Sequence, residues 1–126
     1  MKVLEVTPML ATENLAQTIE FYTEKLGFEC RGLYPDAQNP CWASLWKDDA
    51  EIAFSLTNGD SKIPKPTLTG SIYFYVDAGI EELWEALKEK VTIEYQIEDM
   101  NYGMREFGIR DSNGYLLNFG QNIEKN

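Results

Sequence analysis

Residues 102–121 read YGMREFGIRDSNGYLLNFGQ. Two runs rich in apolar and aromatic residues, 105–110 and 115–119, flank Asp111-Ser112-Asn113-Gly114. Asn113-Gly114 predicts a two-residue hairpin turn, because both residue types tolerate positive φ. Asp111 is placed to bond the turn amides. Alternation sends Leu117 and Phe119 to one face and Asn118 to the other. Arg105 and Glu106 are expected to form a buried ion pair or strand-edge hydrogen bonds.

Sliding the chain against itself by 65 residues aligns this hairpin with an earlier one. Trp42 meets Phe107, Ile52 meets Leu117, Phe54 meets Phe119, and Asp48-Asp49 meets Asn113-Gly114. Upstream, Leu10 meets Tyr75, Leu15 meets Ile80, Ile19 meets Trp84 and Leu26 meets Val91. The match reads as two copies of one unit, about 3–57 and 70–121. The linker between them, 58–69, is rich in Pro, Gly, Thr and Lys.

Each unit opens with a strand, 3–10 or 71–76, rich in β-branched and aliphatic residues. Thr12 and Asp77 are candidate N-caps for the helices that follow. Leu15, Ile19, Tyr22 and Leu26 lie at helical spacing and predict one buried stripe. Gly27 suits a left-handed helix end. Three strands complete each unit, near 28–34, 41–47 and 51–56, then 92–98, 105–110 and 115–119. The class is therefore α+β: two tandem βαβββ modules forming a curved mixed sheet with helices on its convex face. The opposite face would carry Thr7, Met9, Glu51, Ala53, Ser55, Ser71, Tyr73, Tyr75 and Asn118, a polar and aromatic mixture suited to a ligand cleft.

The chain has 126 residues, 44% hydrophobic and 25% charged, enough for one domain with a real core. A net charge of −10 opposes binding to nucleic acid or to anionic membranes; it is compatible with a cationic ligand, and equally with an acidic surface that only aids solubility. No apolar run is long enough to span a bilayer, and the first residues lack signal-peptide features, so a cytoplasmic location is expected. Cys30 and Cys41 have no metal spacing and no activating neighbour, and read as reduced core residues.

The segment ATENLAQTIEFYTEKLGFE, with Phe21-Tyr22 and Leu26-Gly27-Phe28, resembles the first helix of the vicinal oxygen chelate superfamily. The closing hairpin, with its GxREFxxRDxxGxxxxF pattern, is similar to that of the bleomycin resistance proteins. The resemblance covers about residues 3–121. Enzymes of that superfamily hold a divalent metal at positions that fall here on Thr7, Ala53, Ser71 and Asn118, with Gly70 an alternative on the fifth strand. None is His, Asp or Glu, and the whole chain has no histidine, so no metal, cofactor or catalytic residue is expected.

The resemblance implies a metal-free small-molecule binding protein, a homodimer, that sequesters a cationic or aromatic, antibiotic-like ligand in an acidic cleft. Its candidate ligand-binding residues are Trp42, Trp46, Glu51, Ser55, Tyr73, Tyr75, Tyr102 and Asn118. Tyr34 is a further aromatic candidate, and Glu98 and Asp99 are further acids near the mouth. Trp42 and Trp46 fit core or dimer-interface packing equally well, and Tyr102 fits an ordinary turn. The stretch 32–40 carries one aromatic residue and one acid, Asp36, so a related planar compound or a metabolite fits as well as bleomycin. The alternative is a lyase, isomerase or dioxygenase-type enzyme with a non-standard site, for which Glu51 is the nominee as general base.

Overall fold

Alternating apolar residues form strands, and helical stripes cover one face of each sheet, in a computed structural model that describes residues 1–57 and 65–124. Most of the expected linker, 58–69, lies outside the described residues. The chain divides into two compact units, Met1–Thr67 and Leu68–Asn126.

In the first unit β1 (Met9–Thr12) leads into α1 (Leu15–Glu20), which continues as a π-helical turn over Phe21–Lys25. Strands β2 (Glu29–Tyr34), β3 (Trp42–Lys47) and β4 (Ala50–Leu56) follow, and the sheet order is β1-β4-β3-β2. β1 lies parallel to β4, and the other pairs are antiparallel. The opening strand is shorter than the expected 3–10. Val3, Leu4 and Val6 are exposed rather than laid over a core.

Thr12 does not cap α1. Asn14 does, its side chain accepting from the Gln17 amide at 3.0 Å. Thr12 is fully buried and shares a 2.8 Å hydroxyl contact with Thr18. The π turn widens the helix, so Phe21 and Tyr22 are both buried, and Thr18 rather than Ile19 completes the stripe. Tyr22 meets Phe28 and Phe54 at ring distances of 5.2 and 5.1 Å. Gly27, at φ +75, ends the helix as expected.

In the second unit β5 (Ile72–Val76), α2 (Ile80–Leu87), β6 (Thr92–Asp99), β7 (Met104–Arg110) and β8 (Leu116–Asn122) build a sheet of order β5-β8-β7-β6. Phe107, Phe119 and Phe74 form its aromatic core, with Trp84 of α2 at 5.2 Å from Phe107. Asp77 does not cap α2. The N-cap is Gly79, and the Ile80 amide donates instead to the Gln121 side chain at 3.0 Å.

The two units do not repeat at a constant offset. Ala53 corresponds to Asn118, 65 residues on, yet their β1 and β5 partners Met9 and Tyr73 are 64 apart. Their β3 and β7 partners Ser44 and Gly108 are also 64 apart. The slip lies in the turns. Lys47 and Ala50 pair across a two-residue turn, whereas Arg110 pairs with Leu116. Trp42 therefore corresponds to Glu106, not to Phe107.

Asn113-Gly114 is accordingly not a two-residue turn. Only Gly114 takes positive φ, at +87, after a turn closed by its amide on the Asp111 carbonyl at 3.0 Å. The buried Asp111 carboxylate accepts from the Asn113 and Tyr115 amides at 2.9 and 2.8 Å, which holds this longer loop. Asp111→Ala is expected to cost about 2 kcal/mol in urea unfolding, since two charge-assisted bonds are lost and the amides are left buried. A change within error would show that the loop does not depend on them.

Candidate functional site

Each sheet has one face against its helix and one face away from it. The functional candidates lie on the second kind of face, and the two units are arranged differently.

In the first unit β3 and β4 bring Trp42 opposite Ser55, Ser44 opposite Ala53 and Trp46 opposite Glu51. Both carboxylate oxygens of Glu51 are engaged locally. Thr7 donates to one of its carboxylate oxygens at 2.7 Å and Ser44 to the other at 2.5 Å. Trp46 donates its indole N–H to Ser44 at 2.9 Å, and the Arg31 guanidinium covers its ring at 5.0 Å. Trp46 is therefore already stacked on one face by a cation of its own chain. Glu51, nominated as a general base, is a hydrogen-bond acceptor within this chain of hydroxyls.

The second unit gathers Tyr73, Tyr75, Tyr102 and Asn118 around a residue not among the sequence candidates, Glu106. Glu106 is 3% exposed. Tyr73 donates to its Oε1 at 2.8 Å, Tyr102 donates to the same oxygen, and Tyr95 donates to Oε2 at 2.5 Å. Asn118, 7% exposed, donates its side-chain N–H to the Tyr95 oxygen at 2.7 Å, while its own Oδ1 is buried without a hydrogen-bond partner. Tyr75 is 79% exposed, with its ring 4.6 Å from that of Tyr73. Tyr102 is 57% exposed.

The expected Arg105–Glu106 ion pair does not form. Neighbours on a strand point to opposite faces. Arg105 lies on the helix side, bonded to Asp99 at 2.6 Å and to Glu81 of α2. Two glycines make room for the phenols. A Cβ at Gly108 would overlap the Tyr95 ring, and one at Gly120 would overlap the Tyr73 hydroxyl.

Burial and the hydrogen bonds to Glu106 together raise the pKa of its tyrosines. The Glu106 hydrogen bond, then desolvation, pushes the Tyr102 phenol from 10.0 up to about 12. Burial first, and the Glu106 bond second, hold Tyr73 and Tyr95 well above the ordinary phenol range. A phenol whose pKa rises on folding adds stability that is complete below its unfolded value and lost as pH climbs through its folded value. Denaturant stability should therefore fall between about pH 10 and about pH 12, and less steeply in Tyr102→Phe. Ultraviolet titration showing all the tyrosines ionising in one step at the ordinary value would contradict this arrangement.

The positions that hold a metal in the resembled enzymes do not suit one here. Ala53 has no ligating atom, the Thr7 hydroxyl is committed to Glu51, Ser71 offers one neutral hydroxyl, and Asn118 offers one neutral amide oxygen, its N–H being tied to Tyr95. Among the described residues no group of three or more His, Cys, Asp or Glu is placed to hold a metal ion. No helix among them is long and apolar enough to cross a membrane.

A family model, Glyoxalase/Bleomycin resistance protein/Dioxygenase superfamily, matches residues 5–119. The chain belongs to this superfamily. Solved structures agree on the fold. A superfamily member from Sphaerobacter thermophilus DSM 20745 superposes with TM-score 0.79 at 20% identity, covering 94% of this chain and 98% of that one. TioX from Micromonospora sp. ML1 gives 0.75 at 16%, covering 95% and 99%. Lactoylglutathione lyase from Agrobacterium tumefaciens gives 0.69 at 16%, covering 95% and 94%. No functionally curated protein matches the chain.

Sequence reasoning missed Glu106 and Tyr95. The available signal was the pair of glycines at 108 and 120, each on the face of β7 or β8 where a bulky neighbour needs space.

Proposed function

We propose that this superfamily member is a metal-free binding protein that sequesters a cationic or aromatic small molecule. The observation that carries this reading is the tyrosine face of the second sheet, laid over the buried carboxylate of Glu106. Tyr75 and Tyr102 present exposed rings there for stacking, and aromatic faces attract cations. The net charge of −10 draws cations towards the molecule. Trp42, Trp46, Glu51 and Ser55 of the first sheet form a second polar and aromatic face, in which Trp46 and Glu51 are already engaged within the chain.

We further propose a homodimer in the cytoplasm. Support for self-association comes from Val3, Leu4, Val6 and Met9, apolar and exposed together at the start of the chain. Sedimentation should give twice the chain mass of 14.5 kDa, and a monomer at micromolar concentration would remove this part of the proposal.

The ligand reading is tested by tyrosine and tryptophan fluorescence titration with planar cationic compounds, metal-free bleomycin among them. Saturable quenching at one ligand per chain, weakened by salt, is expected for at least one compound. Tyr75→Ala should weaken that binding about tenfold by removing the exposed ring. Absence of saturable binding across the set overturns the reading.

A further inference from the structure

Glu106 presents an electrostatic imbalance within its own unit. Its carboxylate is almost wholly removed from water and receives three neutral O–H donors, but no basic side chain among the described residues. Arg105, adjacent in sequence, is turned to the other face and spent on Asp99 and Glu81. Glu98 stands directly across from Glu106 in the β6–β7 register, so two carboxylates are cross-strand neighbours. Like charges in that position repel, and hydroxyl donors spread a negative charge without cancelling it.

The three donors are not equivalent. Tyr73 is carried on β5 and Tyr95 on β6, both half-buried. Tyr102 is carried on the exposed turn between β6 and β7, beside Gly103 at φ +85. Its hydroxyl is one of two on Oε1. When Tyr102 is absent, Tyr73 still holds Oε1 and Tyr95 still holds Oε2, so the carboxylate keeps its place.

The Asn118 amide provides a second, independent sign. The hydroxyl hydrogen of Tyr95 is given to Glu106, so the Tyr95 oxygen can only accept. Asn118 must then offer its N–H to Tyr95, which leaves Oδ1 as an acceptor with no donor. Among the described residues, the same face thus carries a buried carboxylate without a basic partner and a buried acceptor without a donor.

We propose that this face takes a ligand head group that is both cationic and a hydrogen-bond donor, a protonated amine or amidine, which replaces the Tyr102 hydroxyl on Glu106. The inference rests on the small-molecule reading above and sharpens it. Glu106 supplies the charge, Tyr73 and Tyr95 hold it in place, and Glu98 and the Tyr75 ring flank the entering cation. Tyr102 acts as a removable cap that shields the carboxylate when no ligand is bound.

Calorimetric titration of the full chain with benzamidinium, and with neutral benzamide of the same shape, tests the exchange. The native chain should prefer benzamidinium by about tenfold or more, the scale of one charge-assisted hydrogen bond. Tyr102→Phe removes the competing internal donor and should tighten benzamidinium severalfold relative to benzamide. Glu106→Gln should abolish the preference. If that variant does not fold, the native chain and Tyr102→Phe still decide the matter. Equal affinity for the two probes, or weaker benzamidinium binding by Tyr102→Phe, overturns the exchange but leaves aromatic ligand binding standing. Failure of both probes to bind overturns the exchange and counts against the broader reading as well.

Discussion

The second unit depends on how one carboxylate is kept out of water. Burying an ionised carboxylate without partners costs far more than a small domain can offset. Glu106 meets this constraint with three tyrosine hydroxyls rather than with a cation. Hydrogen bonds to an ionised acceptor are roughly twice as strong as neutral ones, so the three phenols fix the carboxylate and are fixed by it. The neighbouring sequence follows from this. Gly108 and Gly120 are side-chain-free because the Tyr95 ring and the Tyr73 hydroxyl occupy the space beside them.

The first unit handles a carboxylate on the corresponding face by a milder route. Glu51 is half-buried and is held by the small hydroxyls of Thr7 and Ser44. Its aromatic neighbour Trp46 is stacked by Arg31 and bonded to Ser44. The repeat thus conserves the backbone plan but not the chemistry. Trp42 occupies in one unit the register position that Glu106 occupies in the other. Superfamily membership accounts for the shared plan, and the tyrosine cage belongs to this chain's own second half.

Much of the architecture was legible in the residues. Alternation at Leu117-Asn118-Phe119 and at Ile72-Tyr73-Phe74 assigned the two sheet faces correctly, because one-sided burial leaves a period of two. Gly27 marked its helix end because only the left-handed conformation fits there. The failures share a cause. Thr12 and Asp77 satisfy the composition of an N-cap, but Asn14, and Gln121 from a distant strand, take that work in the structure. The gapless repeat concealed a one-residue slip, since apolar runs tolerate a shift that hydrogen-bond register does not. Arg105 and Glu106 were expected to form a buried ion pair or strand-edge hydrogen bonds, yet strand geometry separates them to opposite faces. Tyr95 had its sign on the neighbouring strand, at Gly108. Its reach to Glu106 depends on the irregular β6–β7 register, which shifts on both sides of it.

The buried Glu106 carboxylate organises this face through phenol hydrogen bonds. Proton NMR of the full chain tests this most directly. Hydroxyl protons of Tyr73 and Tyr95 bonded to a buried carboxylate should exchange slowly, resonate far downfield and show cross-relaxation to the Glu106 side chain. Loss of those resonances in Glu106→Leu, with the fold retained, would complete the assignment. Hydroxyl protons that exchange too fast to be seen in the native chain, with no contact to Glu106, would contradict the account.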